Sequence, residues 1–202
     1  METVKTGTTT LGITCKNAVV IATDRRATAG TMIAHKNVHK VIQVSDHIAM
    51  TIAGLAADGQ VLARWMRSEF ALYSIRNGRE ISVNAAANFL SNVLNQNKFT
   101  PFYVELLMGG FDDNGAHIID LDAAGGVFED DFISTGSGSP FAYGLLEQNY
   151  KKDMPLKDAL RLARDCVKVA MSRDSATGDD IEIVYITKDG FNRLSREEME
   201  KL

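Results

Sequence analysis

Residues 7–24 read GTTTLGITCKNAVVIATD, and this stretch determines the fold. Thr8–Cys15 and Ala18–Asp24 are rich in Thr, Val and Ile, which favour strands, and Lys16-Asn17 between them is typical of a tight turn. The stretch therefore predicts an antiparallel β-hairpin. Its first strand opens with a hydroxyl residue directly after a glycine.

Thr8 would become a nucleophile if the chain were cut between Gly7 and Thr8. The cut would place a hydroxyl and a free α-amine on one residue, and an amine is one of the groups that can activate a threonine hydroxyl. Because the α-amine has an ordinary pKa of about 7.7–8.0, it can accept and return a proton near neutral pH. Gly-Thr-Thr-Thr is equally typical of an ordinary edge strand, so other residues must decide.

The composition of the 202-residue chain is that of one compact domain, with 45% hydrophobic residues and three prolines. A formal net charge of −4 gives no basic field, so nucleic acid is not an expected partner. No stretch approaches the roughly 20 apolar residues of a membrane helix, and Met1–Gly7 is too short and polar for a secretory signal. We expect a cytoplasmic protein with no membrane partner.

The cysteines and histidines show no pattern of metal ligands. Cys15 and Cys166 lie far apart in the sequence, so we expect two buried thiols. The four histidines lack a metal or triad context and are expected at solvated positions. Neither a metal nor another cofactor is therefore expected.

Hydrophobic periodicity predicts the remaining elements. After Gly54, apolar residues recur at three- and four-residue steps, as on an amphipathic helix that ends near Gly78. Ser82 is a suitable N-cap for a second helix. Strands are expected at Val38–Val44, His47–Ala53, Phe102–Phe111, His117–Leu121, Phe128–Ser134 and Ile181–Thr187, and helices at Ser139–Tyr150 and Leu156–Met171. This order predicts an α+β fold, a four-layer αββα sandwich of two antiparallel sheets flanked by helices.

Three further positions could carry chemistry together with Thr8. Asp24 ends the second strand of the hairpin and is therefore expected near Thr8. Lys40 begins the third strand, and Gly54 stands between a strand and a helix, where a backbone N–H can bind an oxyanion. Taken singly, the two charged residues are equally typical of solvated strand ends, and Gly54 of a turn.

The motifs GTTTLG, ATDRR, Lys40, TIAG, GSGSP and RDSATG occur in the order and spacing of proteasome β subunits. The chain most resembles the catalytic β subunit of archaeal proteasomes, and the resemblance extends from Gly7 to about Thr187. It implies the N-terminal nucleophile hydrolase fold and a threonine endopeptidase.

The resemblance also implies roles for individual residues. Thr8 would be the nucleophile, Asp24 and Lys40 its charged partners, and Gly54 the oxyanion donor. Ser137, Asp174 and Thr177 would bind and orient the amine and the hydroxyl, although many relatives carry serine where Thr177 stands. Whether Lys40 or the Thr8 amine accepts the proton is left open.

The substrate pocket implied by the resemblance is mainly apolar, which predicts cleavage after large hydrophobic residues. Thr28 would pair its backbone with the extended substrate. The pocket residues are Ala27, Val38, Ile42, Ile52, Ala56 and Gln60.

Residues 1–7 would be a propeptide removed by autolytic cleavage between Gly7 and Thr8, leaving one domain over residues 8–202. The implied partners are other copies of this chain in a heptameric ring, proteasome α subunits, unfolded polypeptide substrates and, indirectly, an ATP-dependent unfoldase. Two alternatives remain: a subunit of the bacterial two-component threonine protease, and a non-catalytic ring subunit.

Overall fold

The computed structural model describes residues 7–202, so residues 1–6 of the expected propeptide lie outside the described part. The strands are β1 Thr10–Cys15, β2 Ala18–Asp24, β3 Ala27–Ala29, β4 Met32–His35, β5 Val41–Ser45, β6 Ile48–Thr51, β7 Ala53–Gly54, β8 Val104–Asp112, β9 Gly115–Leu121, β10 Val127–Glu129, β11 Phe132–Thr135, β12 Ile181–Thr187 and β13 Gly190–Arg193. The helices are α1 Ala56–Asn77, α2 Val83–Gln96, α3 Ser139–Asn149, α4 Leu156–Arg173 and α5 Arg196–Glu200.

Two antiparallel sheets form the centre of the molecule. The first has the strand order β11-β1-β2-β12-β13, and the second has the order β10-β9-β8-β6-β5 with β7 also paired to β8. The predicted hairpin is β1–β2, whose register pairs Thr10 with Thr23 and Cys15 with Ala18. Asn17 in its turn has a φ of 58°, a left-handed conformation that asparagine tolerates in tight turns.

Three apolar layers hold the sandwich together. Side chains such as Ile21, Leu107 and Ile118 are fully buried between the two sheets. Helices α1 and α2 cover the outer face of the second sheet, and α3 and α4 cover that of the first. Since each sheet is buried on both faces, the arrangement is four layers deep, and the predicted αββα fold class is confirmed.

Several local features agree with the sequence. Ser82 caps α2 by accepting a hydrogen bond from the Ala85 N–H at 3.3 Å. Gly78 ends α1 with a left-handed φ of 64°, which a glycine adopts without steric strain. Cys15 and Cys166 are buried free thiols, and burial raises their pKa values to about 11 and about 12.

Other expectations were wrong in detail. The segment Phe128–Ser134 is two strands, β10 and β11, because the chain leaves one sheet and enters the other between them. The hairpin β3–β4, the edge strand β13 and the short helix α5 were not predicted, since these elements are largely exposed or only partly buried and lack an alternating apolar pattern.

His117 does not occupy the solvated position expected for it. It is 9% exposed on β9, where its Nδ1 bonds Glu129 and its Nε2 lies 3.3 Å from Asp112. None of the helices within residues 7–202 is long and apolar enough to cross a membrane. The same part of the chain holds no group of three or more His, Cys, Asp or Glu side chains placed to bind a metal ion.

Candidate active site

Thr8 lies two residues before β1, at the same end of the first sheet at which β2 finishes. The register of the hairpin places Asp24 beside it, and the Asp24 N–H donates to the Thr9 carbonyl at 3.2 Å. Thr8, Asp24 and Lys40 are 6%, 0% and 5% exposed. A hydroxyl, a carboxylate and an ammonium group are thus gathered in a largely dry site.

Lys40 makes the central contacts of this site. Its Nζ donates to Thr8 Oγ1 at 3.0 Å and to Asp24 Oδ1 at 2.7 Å. Burial lowers the pKa of Lys40, and the nearby Asp24 carboxylate offsets part of this effect by favouring the charged form. A lysine with a lowered pKa, in contact with a hydroxyl, can take part in proton transfer closer to neutral pH than an exposed lysine can.

Asp24 is held by four hydrogen-bond donors. Its Oδ1 accepts from Lys40 Nζ and from the Thr9 N–H at 3.0 Å. Its Oδ2 accepts from the N–H groups of Arg26 at 3.0 Å and Gly178 at 3.1 Å. Because three of the donors are backbone groups, the carboxylate is fixed in place and can in turn fix the lysine.

A second network contacts the nitrogen of Thr8. The Thr8 N–H donates to Ser137 Oγ at 3.2 Å, and the Ser137 hydroxyl donates to Asp174 Oδ2 at 2.6 Å. Thr177 Oγ1 donates to the same carboxylate oxygen and lies 2.7 Å from Thr9 Oγ1. The three residues Ser137, Asp174 and Thr177 therefore form one hydrogen-bonded group beside the nitrogen that would become the α-amine.

Gly54 has a backbone geometry that requires glycine. Its φ is 96°, and a Cβ on it would overlap the carbonyl oxygen of Tyr103. The Leu55 N–H donates to that carbonyl at 2.7 Å. Because the N–H groups of successive residues in a strand point to opposite sides, the Gly54 N–H points away from β8. Gly54 is the last residue of β7 and precedes the N-cap Leu55, so it lies before the start of α1.

Gly7 is bonded to Thr8 in this structure and is itself buried. Its carbonyl oxygen accepts from Thr8 Oγ1 at 2.7 Å, and its N–H donates to Thr28 Oγ1 at 3.1 Å. A Cβ at position 7 would overlap the Ala176 side chain, which explains why a residue without a side chain stands there. The Thr8 hydroxyl is thus directly beside the peptide group that precedes it.

A cavity of about 890 Å³ opens beside Thr8. Its walls include Gly54, Ser137 and an acidic group formed by Glu105, Asp120 and Asp122. Burial raises the pKa of Asp120 to about 6, and the charges of Glu105 and Asp122 add to this shift. These three carboxylates were not predicted from the sequence, because they are brought to the site by the pairing of β7, β8 and β9.

The residues expected to form an apolar substrate pocket do not line this cavity. Thr28 contacts Gly7 through its side-chain hydroxyl. Ile52 is buried against α1 near Gly59. Ala27, Val38, Ile42, Ile52, Ala56 and Gln60 are not among the residues that line the cavity at Thr8. A separate apolar pocket formed by these six residues stays a prediction.

Comparison with known proteins places this geometry in a family context. The family described as "Proteasome subunit" matches residues 4–186. The chain is 52% identical over 201 residues to "Proteasome subunit beta" of Methanosphaerula palustris, an alignment that covers 99% of this chain and 95% of the relative. It is 48% identical over 196 residues to "Proteasome subunit beta" of Methanothermobacter thermautotrophicus, with coverage of 96% and 93%.

Proposed function

This chain belongs to the proteasome subunit family, and its relatives support a place as a β subunit of the proteasome core; from this premise we propose that it is a catalytic subunit, a threonine endopeptidase with Thr8 as nucleophile. The observation that carries the proposal is the 3.0 Å contact between Lys40 Nζ and Thr8 Oγ1. Burying a lysine is unfavourable unless its charge is compensated, and here Asp24 compensates it. A ring subunit without catalytic activity would not need this arrangement.

The first step in the proposal is removal of the leader, residues 1–7. Thr8 Oγ1 attacks the Gly7 carbonyl carbon, the hydroxyl proton passes to the Thr8 nitrogen, and the bond between the Gly7 carbon and that nitrogen breaks. The ester that results is hydrolysed by water, which leaves a carboxylate on Gly7 and restores the Thr8 hydroxyl. The contact of Thr8 Oγ1 with the Gly7 carbonyl oxygen at 2.7 Å supports this step, because attacking and attacked groups are already adjacent.

The free α-amine of Thr8 then completes the site. Thr8 Oγ1 attacks the substrate carbonyl carbon while Lys40 or the amine takes the hydroxyl proton, and the proton is returned to the leaving nitrogen of the substrate. The Gly54 N–H would donate to the oxyanion as charge develops on it. Water, deprotonated by the same base, hydrolyses the acyl ester and regenerates Thr8. Ser137 and Asp174 would hold the amine where the Thr8 N–H lies now.

We further propose cleavage of unfolded polypeptides, mainly after hydrophobic residues. The apolar character of the pocket residues Ala27, Val38, Ile42 and Ile52 supports this preference. None of the six proposed pocket residues lines the cavity that holds the acidic group beside Thr8. A peptide panel tests the preference, and faster turnover after arginine than after leucine or tyrosine would contradict it.

The proposed assembly is a heptameric ring of this chain combined with rings of proteasome α subunits. Family membership supports an assembly of several subunits, and the chain covers 95% and 93% of two β-subunit relatives. An ATP-dependent unfoldase would act indirectly by supplying unfolded chains.

The experiment combines mass analysis with a peptidase assay after assembly with a proteasome α ring. We expect the leader to be absent, Thr8 to be the N-terminal residue, and a fluorogenic peptide with a hydrophobic residue before the cleaved bond to be hydrolysed. Thr8→Ala should keep its leader and show no hydrolysis, whereas the control Thr31→Ala, a change of an exposed threonine outside the site, should behave as wild type. Normal hydrolysis by the Thr8→Ala assembly would overturn the proposal.

A further inference from the structure

We propose that Glu182 is a positioning residue that holds the backbone of Lys40 so that its amine reaches Thr8. This inference rests on the proposed function, because it concerns how the proposed catalytic lysine is held. Glu182 lies in β12, about 140 positions along the chain from Lys40, and its side chain is only 2% exposed.

The contacts of Glu182 are divided between its two carboxylate oxygens. Oε2 accepts from the Lys40 N–H at 3.0 Å and from the Val41 N–H at 3.4 Å. Oε1 accepts from His39 Nδ1 at 2.7 Å and forms an ion pair with Arg193, whose Nε lies 3.1 Å away. The carboxylate thus contacts the backbone just before and at the start of β5 with one oxygen and is itself held by two side chains with the other.

This support is needed because the segment that leads into Lys40 is not hydrogen-bonded to a neighbouring strand as part of a sheet. Residues 36–40 belong to no strand, and β5 begins only at Val41. The Ile52 N–H donates to the Lys40 carbonyl at 3.0 Å, so Glu182 and Ile52 together fix both backbone groups of Lys40. Arg193 also donates to the Val41 carbonyl at 3.0 Å, which ties the next residue to the same group. A small rotation of this backbone would move Nζ away from Thr8, since the amine stands at the end of four methylene groups.

Glu182 also contributes charge near the site. Asp24, Asp174 and Glu182 all favour the charged form of Lys40, in opposition to burial, which lowers its pKa. Among the groups that face Glu182, Arg193 is a cation and His39 becomes one when protonated. Removal of the Glu182 charge should therefore lower the pKa of Lys40 further.

Two variants separate the contact from the charge. Glu182→Ala removes both, whereas Glu182→Gln keeps a carbonyl oxygen that can accept from the Lys40 N–H but removes the charge. We expect kcat per assembled ring to fall roughly 10- to 100-fold in Glu182→Ala with little change in KM, in line with the loss that misplacement of a catalytic group by about 1 Å causes. Glu182→Gln should recover most of this loss.

The pH profile gives a readout that a purely structural role would not move. In both variants the limb of the kcat profile that reports Lys40 should shift to lower pH, because loss of a nearby negative charge lowers the pKa of this lysine. Glu129→Gln is the matched control, since Glu129 also lies on a strand and bonds a histidine Nδ1, but outside this site. It should leave kcat and the pH profile unchanged.

The outcomes distinguish this inference from the proposed function. If the wild-type assembly shows no turnover that depends on Thr8, the proposed function is wrong and this inference falls with it. If the wild type is active and both Glu182 variants keep its kcat and pH profile, only the role of Glu182 is overturned. A lower yield of assembled rings with unchanged kcat per ring would overturn it as well. Should Glu182→Ala fail to fold, Glu182→Met, which fills the buried space but has no oxygen to accept from the Lys40 N–H, replaces it in the comparison with Glu182→Gln.

Discussion

The buried pair of Asp24 and Lys40 makes a quantitative prediction about stability. Asp24 Oδ1 accepts from Lys40 Nζ and the Thr9 N–H, and Oδ2 accepts from the N–H groups of Arg26 and Gly178. Lys40→Met leaves a buried carboxylate with three backbone donors, so its cost should lie near the lower end of the range for breaking a buried pair, about 3 kcal/mol. Asp24→Asn should cost more, about 4–5 kcal/mol. It leaves the charge of Lys40 uncompensated, and the NH2 group of the asparagine would face two backbone N–H donors, those of Arg26 and Gly178.

The double variant should cost far less than the sum of the two single variants. With methionine at position 40, the asparagine NH2 can face the space that the ammonium group occupied, while its oxygen accepts from Arg26 and Gly178. Only the Thr9 N–H then loses its partner. We expect the double variant to cost no more than Asp24→Asn alone, about 4–5 kcal/mol, so that the coupling energy is about 3 kcal/mol, at the upper end of the range for residues in direct contact.

Urea unfolding at one fixed chain concentration measures these four free energies. All four chains carry Thr8→Ala, so that each retains its leader and the same covalent state is compared. Holding concentration and oligomeric state constant matters, because assembly alone changes apparent stability. If the two single changes add to within about 0.5 kcal/mol in the double variant, or if Lys40→Met alone is neutral, the buried pair is not coupled as the distances indicate.

Three other predictions concern the site. Thr8→Ser should retain part of the activity and still lose its leader, since the hydroxyl remains but the methyl group that restricts χ1 is gone; intact mass and peptide turnover measure both. Gly54→Ala should abolish turnover and destabilise the fold. An alanine in a left-handed conformation costs roughly 1 kcal/mol, and the cost here should be larger because the Cβ also overlaps the Tyr103 carbonyl. Wild-type turnover by this variant would contradict the oxyanion role. The raised pKa of Asp120 disfavours its charged form in the folded state, so its contribution to stability should decline as pH rises from about 4 to about 6. Asp120→Asn should therefore unfold like wild type below pH 4 and be the more stable chain at pH 7. Thermal unfolding at the two pH values measures this difference.

The elements that the sequence predicted well are those whose signal is local. The hairpin turn at Lys16-Asn17 fixes the β1–β2 register, and this register alone brings Asp24 beside Thr8. The amphipathic pattern and Gly78 likewise located α1. The hairpin β3–β4 was missed because Met32–His35 is exposed throughout and carries no pattern of burial.

The parts of the site that the sequence did not reveal depend on pairing between distant strands. Glu105 reaches the site because its strand pairs with β7, and Asp120 because its strand pairs with β8. Glu182 did give a signal, since an acidic residue stands within the otherwise apolar run IEIVYIT and a carboxylate is rarely buried without partners. The sequence could not show which partners those are, because the Lys40 N–H is about 140 positions away.

The strand order of the first sheet explains why the site is assembled from distant segments. Strand β1 lies between β2 and β11 and is antiparallel to both, so Asp24 at the end of β2 and Ser137 just after β11 lie on opposite sides of Thr8. Strand β12 begins opposite Asp24, which brings the loop that contains Asp174 to the same edge. A shift of β1 by one residue against β2 would invert every side chain of β1 and separate the hydroxyl from the lysine. The buried apolar residues of the hairpin, by fixing this register, also fix the position of Thr8 relative to its proposed partners.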